Sequence, residues 1–272
     1  MTSFAAAPAL PDLLKPRRQR KGWIGFLLNN PTITFGAGLL LVMLFIAVAA
    51  PWLGTVDPTE LAPRKRNLEP SAEYWFGTDS FGRDIYSRVL YGARVSLIIG
   101  FAVAFFASVI GLCIGLVSGT FRRADSVIMR IMDGLMSIPP ILLAIALMAL
   151  TRASVENVVI AITIAEIPRV SRLVRGVVLS LREQAYVDAA ISCGCRMPML
   201  IWRHILPNTL APLTVQATYI CASAMITESI LSFIGAGVPP IIPSWGNIMA
   251  DGRTLFQIKP YIIFFPAVFL SL

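Results

Sequence analysis

The amino-acid sequence predicts an all-α protein that crosses a membrane several times. Its 272 residues are 56% hydrophobic and only 14% charged, and the mean hydropathy is +0.74. So few polar side chains cannot cover a water-soluble globule of this size. The chain also contains several uncharged runs of roughly 20 residues, the length that a helix needs to cross a hydrocarbon core about 30 Å thick.

Six segments are expected to enter the membrane. Four are uncharged and long enough to cross it, and a fifth is interrupted by a proline and three charged residues. The sixth leaves only 12 residues before the chain ends, about 18 Å of helix. In order, they are residues 32–56, 95–121, 134–151, 155–174 (the interrupted one), 205–227 and 261–272. We therefore expect about six transmembrane helices, with the last one truncated.

The distribution of Lys and Arg indicates a cytoplasmic N-terminus. With that orientation, 14 of the 23 basic residues lie on the cytoplasmic side, and six of the other nine lie in or directly after one long loop that also holds six acids. The net charge of +8 is then a signal of topology, because the basic residues are spread along membrane boundaries. We expect contact with membrane lipid and no nucleic-acid partner.

These features divide the chain into four parts. Residues 1–31 form a cytoplasmic leader rich in proline and basic residues, and residues 32–56 form a first transmembrane anchor. Residues 57–93 form an extracytoplasmic loop. Residues 94–272 form the transmembrane core, which includes a polar cytoplasmic loop at residues 180–207.

The polar loop has the signals of two short helices joined by a turn. Ser180 and Glu183 match a capping box, so a helix is expected to begin immediately after Ser180. Gly194 can adopt a left-handed backbone and end that helix. Pro198 stands where a second short helix can begin. A compact knob of this kind suits a groove in a partner protein.

This loop resembles the conserved loop of ABC importer permeases. In that family the loop reads Glu-Ala-Ala, three residues, Gly, nine residues and then Ile-x-Leu-Pro. The matching positions here are Asp188, Ala189, Ala190, Gly194, Leu206 and Pro207. Asp replaces the family's Glu at the first of them, and His204 stands where the family often has Ile. The resemblance implies that these residues couple the chain to an ATPase.

A second resemblance lies in the extracytoplasmic loop. Residues 76–88 resemble the signature Leu/Phe-Gly-Thr-Asp-x-x-Gly-Arg-Asp-x-x-Ser-Arg of the dipeptide, oligopeptide and nickel branch of these permeases. Its positions here are Gly77, Thr78, Asp79, Gly82, Arg83 and Asp84. The charged side chains can pair with one another and with Arg88, and can cap helix ends. An ordered loop held by ion pairs and a contact surface for an external binding protein both remain open.

Small residues recur every four positions in the second span. They are Ala107, Gly111, Gly115 and Gly119. Lipid tails give helices no hydrophobic reason to associate, so such a stripe predicts a face where two backbones approach closely. The neighbouring helix could belong to this chain or to a second subunit.

Three acids lie in or near the apolar runs. Asp133 precedes a Pro-Pro pair that should bend the third span, and Glu166 has Arg169 as a local partner. Glu228 is a candidate for the translocation path, and hydrogen bonding between helices is the competing interpretation.

Motifs for catalysis or nucleotide binding are missing from the sequence. There is no Gly-Lys dipeptide and hence no phosphate-binding loop, and one histidine cannot build a metal cluster. The four cysteines are expected to be reduced thiols. We expect no cofactor or metal in this chain and no enzymatic activity. A membrane enzyme or an autonomous channel would leave the polar loop unexplained.

The resemblance implies a type I ABC importer permease fold in the bacterial inner membrane. The chain would pair with a homologous second permease subunit, two cytoplasmic ATPase subunits and an extracytoplasmic solute-binding protein. It would form half of a translocation path for dipeptides or oligopeptides. Nickel or another small solute is the alternative within the family.

Overall fold

The computed structural model describes residues 30–272, and its regular elements there are helical apart from one isolated bridge between Thr78 and Asp84. The predicted leader lies outside the described residues except for its last two positions. The α-helices are α1 Pro31–Ala49, α2 Ile85–Thr120, α3 Arg122–Met136, α4 Pro140–Ala149, α5 Val155–Arg182, α6 Ala185–Ser192, α7 Met197–Leu200, α8 Leu206–Ile234, α9 Trp245–Gly252 and α10 Tyr261–Ser271. The predicted all-α class is confirmed. The contacts divide the chain into two compact units, which meet between Met43 and Leu44 within α1.

Three helices of the described chain are long and apolar enough to cross a membrane. They are α1 with its 3-10 extension (Pro31–Trp52), α2, and the helix that runs from α7 through α8 (Met197–Ile234). The count rises to four if the bent pair of α3 and α4 is one span. Helix α5 has 28 residues but carries several charges, and α10 has 11 residues. A membrane protein with several spans is thus confirmed.

Helix α2 begins ten residues before the span that the sequence predicts. Its N-cap is Asp84, whose Oδ2 accepts hydrogen bonds from the backbone N of Ser87 at 2.9 Å and from the Ser87 hydroxyl at 2.5 Å. The cap satisfies a donor that the first turn would otherwise leave unpaired. The helix can therefore extend well beyond the uncharged run.

The third apolar run bends sharply at the Pro-Pro pair, as the sequence predicts. The apolar run is divided between α3 and α4, which meet at an angle of 85°. Pro139 adopts an extended backbone (ψ 133°) and Pro140 is the first residue of α4. The Pro-Pro pair therefore breaks the helix, as its missing N–H groups and ring sterics require.

The glycine stripe of α2 packs against α5 of the same chain. A Cβ on Gly111, Gly115 or Gly119 would lie 2.5–2.7 Å from the Cβ of Val170, Val174 or Val178, respectively. Such distances are far below van der Waals contact, so only glycine allows this approach. The glycines of α2 meet valines of α5 at the same interval of four residues. The helix that packs against the small-residue stripe therefore belongs to this chain.

The helices place two functional regions at opposite ends of the second unit. At one end, the Trp245 indole N–H of α9 donates to the Val89 carbonyl near the start of α2 at 3.0 Å. At the other end, Arg182 at the end of α5 donates to the carbonyls of Gly119 and Thr120 at 2.9 and 3.1 Å. The loop before α2 and helix α9 thus share one end, and α6 begins at the other.

We predict that Gly115→Ala destabilises the protein by about 1–3 kcal/mol, the usual cost of overpacking a core. The added Cβ would also lie 2.7 Å from the Ser171 carbonyl oxygen, which belongs to the backbone and cannot rotate away. The midpoint of thermal unfolding in detergent measures the change. Gly176→Ala on α5 is the matched control, because a Cβ there meets nothing within 4 Å. Equal midpoints for the two variants would contradict this account of the packing.

Candidate functional site

The predicted coupling loop folds into a short elbow between α5 and α8, but its first helix begins later than expected. Helix α5 continues through Ser180 to Arg182, and α6 begins at Ala185 with Gln184 as an N-cap that makes no side-chain bond. The capping-box prediction was therefore wrong. The bonds from Arg182 to the end of α2 favour continuing α5 for one more turn.

The end of α6 and the start of α7 agree with the sequence. Gly194 has φ +82°, the left-handed conformation that follows many helix ends, and the N–H groups of Gly194 and Cys195 bond the carbonyls of Ile191 and Ala190. Pro198 lies in the first turn of α7. Leu206 and Pro207 are the first residues of α8, after one π-helical turn, Ile201–Ile205.

One side of the elbow is anchored to the helix bundle. Val187, Leu200 and Ile205 are almost fully buried and belong to the same apolar core as Val178 of α5. The amide of Asn208 on α8 donates to the His204 carbonyl at 2.6 Å and to the Tyr186 hydroxyl at 3.4 Å. The bond to Tyr186 joins α6 to the foot of α8, and the bond to His204 fixes the amide in place. Nothing in the sequence indicates these roles of Asn208 and Tyr186.

The opposite side of α6 is exposed. Asp188 and Ala189 point away from the bundle, whereas Ala190 is half-buried against the core. Some apolar side chains of the elbow are exposed as well, with Ile191 51% and Trp202 75% exposed. The small residues leave a low helix face that another protein could approach closely. Within residues 30–272, no group of three His, Cys, Asp or Glu side chains could hold a metal ion.

The signature loop at the other end is ordered by its own hydrogen bonds. The Thr78 hydroxyl donates to the Lys65 carbonyl at 2.5 Å and accepts from the Leu68 N–H at 2.8 Å. Gly82 has φ +80°, and a Cβ there would overlap the Ala62 carbonyl. Gly77 lies beside Thr78 in the same turn, and its carbonyl accepts from the N–H of Ile85.

Four charged residues form a buried cluster beneath this loop. Arg83 binds Asp79 through Nε at 2.6 Å and Asp251 of α9 through Nη2 at 2.6 Å. Arg88, fully buried, lies 3.3 Å from Asp251 and 3.9 Å from Asp79. Burial raises the pKa of the Asp251 carboxyl, while the two guanidinium groups act to lower it. The predicted pairing of Asp79 with Arg83 is confirmed, and Asp251 is the partner that the sequence did not reveal.

Glu228 lies inside the chain, where its side chain has no exposed surface. Its Oε1 accepts a hydrogen bond from the Ser232 hydroxyl at 2.8 Å. Other serine hydroxyls lie close by, but within the described chain none has the geometry to bond Oε2. A role in the translocation path and hydrogen bonding between helices both stay predictions, because Ser232 lies on the same helix as Glu228.

Near α3, two other acids have basic partners from α5. Asp133 binds Arg172 at 2.5 Å, and Asp125 binds Arg175 at 2.5 Å. Glu166 lies 3.6 Å from Arg169, the partner expected from the sequence. The Asp133 and Asp125 pairs tie the broken third span to α5, whereas the Glu166 pair lies within α5.

Comparison with protein families explains this arrangement. A model described as "binding-protein-dependent transport system inner membrane component" matches residues 107–272, which is more than half of the chain. The chain belongs to this family. It is therefore a membrane-embedded component of a binding-protein-dependent transport system.

Individual relatives of this inner membrane component cover nearly all of it. A probable peptide ABC transporter permease protein of Sinorhizobium fredii is 50% identical over 94% of this chain and 88% of that protein. The dipeptide transport system permease protein DppC of Alkalihalophilus pseudofirmus is 42% identical over 86% of this chain and 78% of that protein. The oligopeptide transport system permease protein OppC of Bacillus subtilis is 38% identical over 90% and 80%, respectively.

A solved structure has the same fold. An inward-facing form of the MetNI methionine ABC transporter contains a chain with a TM-score of 0.56 and 20% identity, which covers 68% of this chain and 88% of that one. The likeness supports the predicted ABC importer permease fold.

We predict that Asp251→Ala destabilises this inner membrane component by about 3–5 kcal/mol, because it leaves buried Arg88 without its nearer carboxylate. The thermal unfolding midpoint and the rate of protease cleavage in the loop before α2 both report the loss. Glu69→Ala is the control, since it removes an exposed partner of Lys259 on the same side of the molecule. If Asp251→Ala leaves both readouts at the control level, the cluster does not hold the loop.

Proposed function

We propose that this chain forms half of the translocation path of an ATP-driven importer of dipeptides or oligopeptides. The names of its relatives support the solute class, since those of 38–50% identity are described as peptide, dipeptide or oligopeptide permeases. The partners in this proposal are a homologous second permease subunit, two ATPase subunits and an external solute-binding protein.

The proposal rests on a single observation: α6 exposes one face while its other side is held against the helix bundle. Asp188 and Ala189 present a small, low surface, while Val187 and the Asn208 bonds fix the helix behind it. An ATPase subunit with a groove of matching width would grip this face. Closure of the ATPase pair on ATP would then displace α6 and the foot of α8 together.

Helix α5 supplies the connection from this elbow to the opposite side of the membrane. It runs without a break from Val155 to Arg182, about 42 Å at 1.5 Å per residue. Its packing against the α2 glycines leaves little room for sliding, so α2 and α5 would move as one body. We propose that this motion opens the path alternately to each side.

The orientation in this proposal follows from charge. The elbow end of the unit carries Arg182, Arg196 and Arg203, together with Arg122 and Arg123 after α2. Basic residues near span ends favour the cytoplasmic side, so the elbow would face the ATPase and the N-terminus would also be cytoplasmic. The signature loop would face the solute-binding protein.

We predict that Ala189→Trp abolishes ATP-driven uptake of a labelled dipeptide by the reconstituted importer. The large side chain would block a close-fitting groove, so copurification of the ATPase should fall as well. The unfolding midpoint should not change, because position 189 is exposed. Ala153→Trp is the matched control at an exposed alanine between α4 and α5, at the other end. Normal uptake by the Ala189 variant would refute the docking role. A wild-type importer that transports another solute but no peptide would refute the solute class.

A second prediction concerns the turn after α6. Gly194→Val should reduce coupling, because a β-branched residue at φ +82° is strained and must rearrange the end of the helix. Gly194→Asn should be milder, since Asn tolerates this conformation. The ratio of dipeptide transported to ATP hydrolysed measures coupling. Equal ratios for the two variants would show that the backbone at this turn is not part of the coupling device.

A further inference from the structure

A groove with apolar walls lies between the last part of α1 and the outer half of α2. Its volume is about 560 Å³, and one charged residue stands in it. The lining residues are Leu44, Ala47, Val48, Arg94, Leu97, Ile98 and Phe101. All of them belong to the second compact unit.

Arg94 has a positive charge that no carboxylate balances. Its Nε donates to the Ala47 carbonyl and its Nη2 donates to the Val48 carbonyl at 3.0 Å, so it caps the end of α1. Its guanidinium lies 5.2 Å from the centre of the Tyr91 ring. Within residues 30–272 it forms no ion pair. Three of its five N–H groups, two on Nη1 and one on Nη2, have no hydrogen-bond partner within residues 30–272 and can bond an anionic group.

The groove is charged at one end and apolar along the rest of its length, as a phospholipid molecule is. Arg94 stands at the boundary of the uncharged run of α2, and Trp52, which is 78% exposed, follows α1 at the same end. Exposed tryptophans and cationic side chains with apolar stems favour the headgroup level of a bilayer. From Arg94 the groove descends along α2 to Phe101, about 10 Å deeper at 1.5 Å per residue. The charge is thus at the membrane boundary and the apolar walls lie below it.

We propose that this groove is a binding site for one anionic glycerophospholipid, whose phosphate binds Arg94 and whose acyl chain follows Leu97 to Phe101. A guanidinium binds phosphate through charge-assisted hydrogen bonds, and the unbalanced charge favours a headgroup with net negative charge. A lipid in this place would fix the end of α1 against α2, where Arg94 already joins the two helices.

A second apolar groove provides an internal comparison. It lies between α2 and α5, has a volume of about 240 Å³ and is lined by Phe106, Ile110, Val159, Ile160, Thr163, Ile164 and Ile167. It contains no charged residue, so lipid there should show no preference for a headgroup.

Native mass spectrometry of the full chain within its detergent-purified importer tests the proposal. Delipidated samples are titrated with phosphatidylglycerol or with phosphatidylcholine of identical acyl chains. We expect one phosphatidylglycerol to bind about tenfold more tightly than phosphatidylcholine, because both lipids offer a phosphate to Arg94 but the choline cation of phosphatidylcholine repels the unbalanced guanidinium. Arg94→Gln should abolish this preference and Arg94→Lys should retain most of it.

A variant that fills the groove but keeps Arg94 tests whether binding needs the groove as well as the charge. Val48→Trp, at a side chain that is 64% exposed, should fill the groove and remove tight binding while Arg94 is unchanged. Two controls should bind as the wild type does: Arg152→Gln, which removes another exposed arginine, and Ile160→Trp, which fills the second groove.

Three results would overturn the proposal. One is equal binding of both lipids to the wild type, which would indicate only unspecific annular lipid. A second is a phosphatidylglycerol preference that survives both Arg94→Gln and Val48→Trp, which would place the site elsewhere. Absence of bound lipid in the assembled importer would also refute it and would indicate that a partner subunit covers the groove.

Discussion

The close approach of α2 and α5 is the constraint on which the other features depend. Three glycines on α2 face three valines on α5 at matching intervals, and a single methyl group at any of them would collide with α5. Lipid provides no hydrophobic force to hold two apolar helices together, so contact over a long, flat face has to provide the attraction. The resulting pair carries the loop before α2 at one end and leads into α6 at the other.

Each end of this pair is fixed by polar bonds rather than by apolar packing alone. At the loop end, two arginines and two aspartates share a buried cluster that joins α2 to α9. At the elbow end, Arg182 closes α5 onto the last carbonyls of α2, and Asn208 joins α6 to α8. Buried charges are costly unless they are paired, so the cluster allows few alternative arrangements of the loop. A displacement of α6, which the proposed function requires, would therefore be passed on by elements that have little freedom of their own.

Local patterns in the sequence predicted much of this architecture. The Pro-Pro break, the Asp84 cap, the left-handed Gly194 and the close-packed stripe each follow from the chemistry of a few neighbouring residues. Helix α5 was underestimated because its proline and charges suggested an interruption, whereas the helix continues through Pro168. Of the charges that weakened the prediction, Arg172 pairs with Asp133 of α3, while Glu166 and Arg169 lie close to each other on α5.

Features that depend on distant parts of the chain could not be predicted. Asp251 lies 168 residues from Arg83, and no local spacing joins them. The start of α6 was misplaced because the capping box at Ser180 is a local signal, and the bonds between Arg182 and α2 outweigh it. The burial of Glu228 depends on how its helix packs against other helices, so it could not be predicted from the sequence either. The family resemblance supplied the position of the elbow, and the structure supplied its anchored and exposed sides.

The most direct test of the account is site-specific photocrosslinking in the assembled importer. A photoreactive amino acid at position 189 should form an adduct with the ATPase subunit, and the same amino acid at position 153 should not. The adduct at position 189 should also change in yield between the nucleotide-free and ATP-bound states. A chain that crosslinks to the ATPase from position 153, or only to lipid from position 189, would contradict the claim that the exposed face of α6 receives the motion of the ATPase.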